Sequence, residues 1–212
     1  MVDGLDHIVT LNHEQEVSEI DPFTERRYRQ FVGHFSRHTR QVLDVGCNTG
    51  RGGSVMKTLR PGLHITGVDC VPERVAALDP LYYDERICGF THDISLPSDS
   101  FDAIVAGEFV EHLPPNLVFP TLCEFFRLLR LHGILLLTTP NPRYLRNKLR
   151  GKSVLGGAHV SQHYIDSLKR RLMDIGFSGI MIRGSGRVSI TLGELFPIRS
   201  VYGSYFVKAS KW

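Results

Sequence analysis

The segment EFVEHL, residues 108–113, places two carboxylates and an imidazole within a short apolar frame. On a helix, residues three and four positions apart share one face, so Glu108, Glu111 and His112 are predicted to point towards one place. Such a set could bind a divalent cation such as Mg²⁺, Mn²⁺, Fe²⁺ or Zn²⁺. It could instead serve as an acid and base without a metal, because histidine has an ordinary pKa of about 6.5, or it could be purely structural.

A second set of residues surrounds a turn with glycines, VLDVGCNTG at 42–50. Gly46 and Gly50 permit unusual backbone dihedrals and a close approach to a ligand. The turn lacks the GxxxxGK[ST] pattern of a phosphate-binding loop, and it lacks the second glycine of the dinucleotide fingerprint GxGxxG. Since Asp44 would also place a carboxylate close to a pyrophosphate, the expected ligand is cationic and free of phosphate.

Two more acidic residues end the next two predicted strands. Asp69 lies nineteen residues after Gly50, a position from which an acid can accept hydrogen bonds from ribose hydroxyls. Asp93, in the segment THDIS, is placed to bind an adenine amino group. The cationic, phosphate-free cofactor that contains adenosine is S-adenosylmethionine.

The elements that would position these residues follow from the apolar pattern. Apolar runs predict strands at 41–46, 63–69, 86–90, 101–107 and 134–139. Helical spacing and Pro or Gly boundaries predict intervening helices at 22–37, 50–60, 72–79 and 116–131. A helix at 161–175, with Ser161 as its N-cap, precedes two last strands at 177–184 and 202–209. Continuous apolar strands that alternate with helices are typical of an α/β fold with a parallel sheet covered on both faces.

Four motifs carry a resemblance to a known family. They are 42-VLDVGCNTG-50, 66-TGVD-69, 92-HDISLPSDSFDAIVAGEFVEHL-113 and 134-ILLLTTPNP-142. In order and spacing the chain resembles the class I S-adenosylmethionine-dependent methyltransferases over about residues 40–182. The resemblance implies a Rossmann-like, seven-stranded, mostly parallel sheet with helices on both faces and an antiparallel last strand.

The resemblance also implies which residues bind the cofactor. Asp44 and Gly46 are expected to face its methionine part, Gly50 to shape the turn and Asp69 to bind the ribose. Asp93 and Ile94 are expected to border the adenine. The other residues predicted to contact the cofactor are Cys47, Asn48, Cys70 and Glu108. Asn48 stands where many relatives have glycine, which is a mild departure from the family pattern.

EFVEHL is similar to a segment of ubiquinone-pathway O-methyltransferases and of small-RNA 3′-end 2′-O-methyltransferases. In those families Glu-x-x-Glu-His can hold a divalent cation together with a downstream histidine. Here His159 is the favoured downstream residue and His163 the second choice. The implied metal set is therefore Glu108, Glu111, His112 and His159. Relatives without a metal imply instead that Glu108 sits beside the sulfonium or caps a helix, while His112 packs under the cofactor. A metal-free acid or base role for His112 or His159 is a third alternative.

The charge distribution bears on the acceptor. Residues 125–212 contain 15 Lys and Arg but only 3 Asp and Glu, and 143-RYLRNKLRGK-152 has five cations and no acid. Such a run is typical of a solvated loop or of a clamp for an anionic ligand. One domain is predicted over 1–212, with an N-terminal helical cap at 1–40 and a basic loop or lid at 143–160. The four cysteines form no CxxC pair, which argues against a zinc knuckle or a disulfide scaffold.

These observations predict an S-adenosylmethionine-dependent O-methyltransferase whose acceptor is a small molecule, a sugar or glycan, or a carrier-linked and possibly anionic compound. No run of about 18 apolar residues is present, so a cytoplasmic protein with at most peripheral membrane contact is expected. One alternative is an RNA 2′-O-methyltransferase, which the single aromatic residue of the basic run, Tyr144, disfavours. The other alternative is a non-catalytic partner that binds S-adenosylmethionine.

Overall fold

The computed structural model of the protein describes residues 3–14 and 21–212. Its sheet has seven strands in the order β3-β2-β1-β4-β5-β7-β6, of which only β7 runs antiparallel to its neighbours. The strands are β1 Gln41–Val45, β2 His64–Asp69, β3 Glu85–Cys88, β4 Phe101–Gly107, β5 Leu129–Pro140, β6 Ser178–Ser185 and β7 Ser204–Ser210. This arrangement confirms the predicted seven-stranded, mostly parallel α/β fold.

Helices cover both faces of this sheet. They are α1 Asp3–His13, α2 Thr24–Val32, α3 Arg51–Leu59, α4 Pro72–Ala76, α5 Pro115–Leu128, α6 Leu145–Leu149, α7 Ile165–Ile175 and α8 Arg187–Leu192, with 3-10 turns at Val110–His112 and Arg199–Val201. Residues 1–2 and 15–20, part of the predicted N-terminal cap, lie outside the described residues. Within the described residues, no helix combines the length and hydrophobicity needed to cross a bilayer.

The core lies on both sides of the sheet, as continuous apolar strands require. Ile104 and Ala106 of β4 belong to a cluster that includes side chains of α5 and α7. Their neighbours Ala103 and Val105 belong to a second cluster that includes side chains of α2 and α3. All four are fully buried. Alternate residues of one strand therefore serve opposite faces, which explains why the strand has no polar side.

The end of α5 differs from the prediction. A helix was expected over 116–131, but α5 ends at Leu128 and β5 begins at Leu129. Leu129 is fully buried and pairs with Phe101, and the register then shifts so that Ile134 pairs with Ala103. His132, the first residue after the predicted helix, has a φ of +66° within the resulting irregularity of the strand. The apolar run suits either element, and pairing with β4 selects the strand.

The predicted start of the helix at 161 is also wrong. α7 begins at Ile165, because Ser161 is buried and its hydroxyl donates a hydrogen bond to the Val110 carbonyl oxygen at 3.1 Å. Two segments expected to be loops contain short helices, namely α6 within 143–160 and α8 between the last two strands. At the N-terminal side, α2 begins at Thr24 and ends at Val32, so it is shorter than the helix predicted over 22–37.

Candidate active site

A cavity of about 470 Å³ lies at the carboxyl ends of β1, β2 and β4. Parallel α/β sheets bind ligands at this edge, where the strands end and the loops diverge. The wall that follows β1, β2 and β3 contains several residues predicted from the sequence. These residues are Gly46, Cys47, Asn48, Asp69 and Cys70.

Asp69 connects two of these turns. Its Oδ2 accepts a hydrogen bond from the Asn48 N–H at 2.9 Å, and its Oδ1 accepts one from the Val71 N–H at 3.0 Å. The residue is only 6 % exposed but lines the cavity. Each carboxylate oxygen can accept more than one hydrogen bond, so Asp69 keeps acceptor capacity for a ligand. Asn48 has a φ of +49°, a conformation that asparagine adopts more readily than most residues, which explains how it replaces glycine here.

Residue 46 must be glycine because of both its backbone conformation and the side chain packed against it. It has a φ of +65°, and a Cβ at this position would lie 2.7 Å from Cδ2 of Phe109. Phe109 belongs to the EFVEHL segment, so the absence of a side chain at residue 46 lets the segment after β4 pack against the turn after β1. The two motifs found separately in the sequence thus meet in space.

Asp44 lies elsewhere than predicted. It was expected to face the methionine part of the cofactor, but it is completely buried beneath the turn. Its two carboxylate oxygens accept hydrogen bonds from the hydroxyls of Tyr28 at 2.7 Å and Tyr83 at 2.6 Å. Burial raises the pKa of Asp44 to about 7, although the hydrogen bonds from Tyr83 and Tyr28 oppose the rise. Asp44 therefore supports the wall by joining α2 to the segment before β3.

This buried carboxyl predicts a pH dependence of stability. The pKa of Asp44 rises from 3.8 to about 7 on folding, so between these values the folded state binds the extra proton. Because protonation then favours the folded state, the free energy of unfolding should fall by about 2 kcal/mol between about pH 5.5 and about pH 8 through this group. Urea denaturation at the two pH values should show that Asp44→Asn loses this difference, whereas exposed Asp93→Asn keeps it. An unchanged pH dependence in Asp44→Asn would contradict the assignment.

The residues predicted to border the adenine are placed differently. Asp93 is exposed in the turn after β3, and Ile94 is buried in the core cluster beside α5. Phe90 and Thr91, a few residues earlier in the chain, line the cavity instead. The sequence analysis therefore identified the correct loop, but Phe90 and Thr91, which precede Asp93, line the cavity in its place.

The EFVEHL segment is not one helical face. Glu108 has a φ of +53°, and only Val110–His112 forms a 3-10 turn. The Glu108 side chain turns towards α2 and β7, where its Oε2 accepts a hydrogen bond from Ser204 Oγ at 3.2 Å. Its Oε1 lies 4.0 Å from Nε of Arg27. The prediction that Glu108 points to the same place as Glu111 and His112 is therefore wrong.

Glu111, His112 and His159 come together without Glu108. One potential ligand atom from each lies within 4.8 Å of the others. Glu111 is 1 % exposed; its Oε2 accepts a hydrogen bond from Thr139 Oγ1 at 3.1 Å, while its Oε1 has no hydrogen-bond donor among the described residues. Burial, and then the nearby charge of Glu108, raises the pKa of Glu111 well above its ordinary value. An unpaired carboxylate oxygen buried beside two imidazoles is suited to a cation.

The two histidines are oriented by backbone carbonyls. Nδ1 of His112 lies 3.0 Å from the Ala158 oxygen, and Nδ1 of His159 lies 2.9 Å from the Val154 oxygen. Because a carbonyl oxygen only accepts, each Nδ1 carries the hydrogen, and Nε2 of the neutral ring keeps its lone pair. Burial and the neighbouring His159 lower the pKa of His112 to about 4, so His112 is neutral near pH 7. Backbone carbonyls commonly hold metal-ligating histidines in this way.

His163 has a different role. It is buried, and its Nε2 lies 3.0 Å from both the Val110 carbonyl oxygen and Ser161 Oγ. It therefore fixes the segment before α7 against the 3-10 turn, and His159 is the histidine that joins the cluster.

The opposite wall of the cavity is polar and was not predicted from the sequence. It includes Arg26, Arg27, Gln30, Ser185, Ser189 and Ser204. Arg27 is held by Asp21 Oδ2 at 3.1 Å, and its side chain is only 12 % exposed. In the sequence Arg26 and Arg27 look like the solvent side of an amphipathic helix, and serines carry no signal of their own. Only the packing of α2 and β7 beside the turn after β1 reveals this wall.

Comparison with known proteins agrees with this architecture. Residues 43–137 match the family model described as "Methyltransferase domain". A ubiquinone biosynthesis O-methyltransferase from Xylella fastidiosa is 36 % identical over 108 residues, which cover 48 % of this chain and 42 % of that protein. A fatty-acid O-methyltransferase from Mycolicibacterium smegmatis is 31 % identical over 140 residues, which cover 61 % of this chain and 47 % of that protein. The chain thus matches less than half the length of these two curated relatives.

Solved structures resemble the chain over more of its length. A structure of an S-adenosylmethionine-dependent methyltransferase from Archaeoglobus fulgidus superimposes with a TM-score of 0.70 and 20 % identity, covering 88 % of this chain and 92 % of that one. At this identity the likeness concerns the fold. Taken together, the domain match, the O-methyltransferase relatives and the seven-stranded sheet support the class I S-adenosylmethionine-dependent methyltransferases as the family of this chain.

Proposed function

We propose that the protein transfers the methyl group of S-adenosylmethionine to a hydroxyl oxygen of a small-molecule, sugar or carrier-linked acceptor. One observation carries this proposal: Glu111, His112 and His159 lie together beside the wall that follows β1, β2 and β3, where we place the cofactor. His112 and His159 line the same cavity as Asp69 of that wall. The curated relatives named above are O-methyltransferases, which supports oxygen as the acceptor atom.

The reaction needs a group that takes the acceptor proton. The hydroxyl oxygen forms a bond to the methyl carbon as the carbon–sulfur bond of the sulfonium breaks, and S-adenosylhomocysteine leaves. The hydroxyl proton must go to a base, and a neutral imidazole is such a base near pH 7. Without a metal, Nε2 of His112 or His159 has its lone pair available for this proton, because each Nδ1 is held by a carbonyl. His159 is better suited to this role, because the pKa of His112, lowered to about 4, makes that ring a weak base near pH 7.

The three side chains also fit a divalent cation. A cation held there through the same Nε2 atoms would instead lower the pKa of an acceptor hydroxyl bound to it, and the proton would leave to solvent. Two imidazoles and one carboxylate favour Mn²⁺, Fe²⁺ or Zn²⁺ over Mg²⁺, which prefers oxygen ligands. The orphaned Oε1 of buried Glu111 and the carbonyl-held rings of His112 and His159 support this assignment. Glu108, included in the set predicted from the sequence, is assigned instead to the acceptor side of the cavity, between Arg27 and Ser204.

The wall opposite the cofactor supports a polar acceptor. Serine hydroxyls at 185, 189 and 204 and the Gln30 amide line it, together with the carboxylate of Glu108. The Oε1 of Glu108 is buried and has no hydrogen-bond donor among the described residues. A hydroxyl group of the acceptor would supply that missing donor, and burial without one is costly. A compound with several hydroxyls, such as a sugar, matches these groups.

The proposal is tested by transfer of labelled methyl groups from S-adenosylmethionine to fractionated extracts of cells that lack the protein. We expect a labelled product with wild type and a loss of about 100-fold in rate for Glu111→Gln. EDTA should abolish the transfer, and Mn²⁺ or Zn²⁺ should restore it. Titration of metal-free protein with each ion by calorimetry should show binding that Glu111→Gln loses.

His132→Ala is the matched control, because His132 precedes the parallel part of β5, at the edge of the sheet opposite the cavity. It should keep both the activity and the metal affinity. Transfer that persists in EDTA and in Glu111→Gln would rule out the metal, and a product methylated on nitrogen or carbon would rule out O-methylation.

A further inference from the structure

The exposed hydrophobic side chains are concentrated in two segments. Among the described residues, fourteen large hydrophobic side chains are exposed, and seven of them lie within 145–155 and 190–198. The two most exposed of all are Leu149, at 78 %, and Leu195, at 74 %. Isolated exposed leucines are ordinary, but a local concentration of aliphatic side chains marks an interaction surface.

The first segment is basic, and two cations flank the second. Residues 143–152 contain five cations and no acid, and exposed Arg187 and Arg199 lie on either side of 190–198, whose only charged side chain is that of Glu194. Within the described part of the chain, none of these seven cations forms an ion pair with an acidic side chain. Arg143 instead lies over the ring of Tyr164, at 5.5 Å. This positive charge is therefore not neutralised by the fold.

The two segments form one surface at the mouth of the cavity. α6 contacts the 3-10 turn Arg199–Val201, and Asn141, just before the first segment, donates hydrogen bonds to the carbonyl oxygens of Arg199 and Tyr202. Glu194 of the second segment and Ser189 just before it line the cavity, as does His159 just beyond the first segment. We name residues 143–155 together with 187–199 the basic–apolar surface.

We propose that the basic–apolar surface binds an anionic lipid bilayer and turns the mouth of the cavity towards the lipid headgroups. Cations beside protruding aliphatic side chains match such a bilayer, because the charges attract anionic headgroups while the leucines enter the boundary of the acyl chains. A nucleic acid is a poorer match, since the exposed apolar side chains are mainly leucine and isoleucine, and bases stack on aromatic rings. This binding goes beyond the proposed methyl transfer and does not depend on it.

Co-sedimentation with vesicles tests the proposal. The full chain should bind vesicles that contain phosphatidylglycerol at least about tenfold more strongly than vesicles of phosphatidylcholine alone, and added salt should weaken the binding. The double variant Leu149→Glu, Leu195→Glu should lose about tenfold of the partition coefficient. The double variant Arg150→Gln, Lys152→Gln should lose about tenfold of the partition coefficient on anionic vesicles, and it should bind neutral vesicles as wild type does.

Matched controls come from exposed residues outside the surface. Leu81→Glu changes a leucine that is 70 % exposed in the turn before β3, and Arg37→Gln changes an exposed cation that precedes β1. Both should leave vesicle binding unchanged, and light scattering without lipid should show the same mass for all variants. Equal binding to neutral and anionic vesicles would overturn the proposal. Wild-type vesicle binding by the variant Leu149→Glu, Leu195→Glu would also overturn it. A third contrary result would be that the wild-type protein is a dimer and that this variant is a monomer. Methyl transfer to a water-soluble acceptor is a separate readout, so failure here leaves the proposed function untouched.

Discussion

Asp69→Ala is expected to weaken the binding of S-adenosylmethionine by about 100-fold, as measured by calorimetry. Two hydrogen bonds from ribose hydroxyls to a carboxylate, at about 1.5 kcal/mol or more each, account for a loss of this size. Asp69 also accepts hydrogen bonds from the backbone of Asn48 and Val71, so removal of its carboxylate loosens the turns that form this wall of the cavity. Both effects act in the same direction. Asp69→Asn, which keeps one acceptor oxygen, should show an intermediate affinity.

Asp93→Ala is the matched control for this experiment. The sequence predicted that both aspartates contact the cofactor, but Asp69 lines the cavity whereas Asp93 is exposed outside it. Substitutions of exposed residues usually change a free energy by less than about 0.5 kcal/mol, so an affinity change of about twofold or less is expected. Wild-type affinity in Asp69→Ala, with its fold intact by circular dichroism, would refute the assignment of Asp69. An equal loss in both variants would refute the distinction between them.

The parallel strands were predictable because strands that are buried on both faces leave a strong signal in the sequence. The run ILLLTT at 134–139 begins with four consecutive apolar residues instead of alternating apolar and polar ones, which is typical of a strand covered on both faces. A continuous apolar run also hides the boundary between a helix and a strand, as at Leu128 and Leu129. Both residues are fully buried, and only the pairing with β4 shows that the helix ends between them.

The geometry of the candidate site was less predictable, because it depends on backbone conformation and on distant partners. A helical EFVEHL would have placed Glu108 beside Glu111, but the positive φ of Glu108 turns its side chain towards Arg27 and Ser204. No local pattern in the sequence indicates that conformation. His159 was found because the resemblance to metal-binding relatives fixed its approximate spacing, and the fold places it beside His112 at a ring distance of 4.9 Å.

The position of Asp44 was also unpredictable, because it depends on partners that are distant in the chain. Its position in the glycine motif implied a contact with the cofactor, but its partners Tyr28 and Tyr83 are 16 and 39 residues away in the chain. The two tyrosines explain glycines that the cofactor motif does not account for. Tyr83 also accepts a hydrogen bond from the Gly53 N–H at 2.9 Å, and a Cβ on Gly53 would lie 2.4 Å from its ring. The second and third residues of α3, Gly52 and Gly53, thus lack side chains so that both rings can reach Asp44.

Gly52→Ala is accordingly expected to destabilise the protein by about 3 kcal/mol, although alanine is normally the better helix residue by up to about 1 kcal/mol. A Cβ on Gly52 would lie 2.1 Å from Cζ of Tyr28. The ring cannot easily move away, because Tyr28 is 4 % exposed and its hydroxyl is bound to Asp44 at 2.7 Å. A loss of this size should lower the melting temperature by roughly 10 °C.

Two comparisons separate a clash with Tyr28 from a general effect of alanine. Gly62→Ala should be harmless, because no atom lies within 4 Å of the Cβ that it would add. In a Tyr28→Ala background, Gly52→Ala should cost little or even stabilise α3, because the opposing ring is gone. The double-mutant cycle should therefore give a coupling free energy of about 3 kcal/mol, well above the few tenths expected of independent sites. Additive effects would mean that Gly52 is required for some reason other than the Tyr28 ring, and the link between α2, α3 and Asp44 would then have to be abandoned.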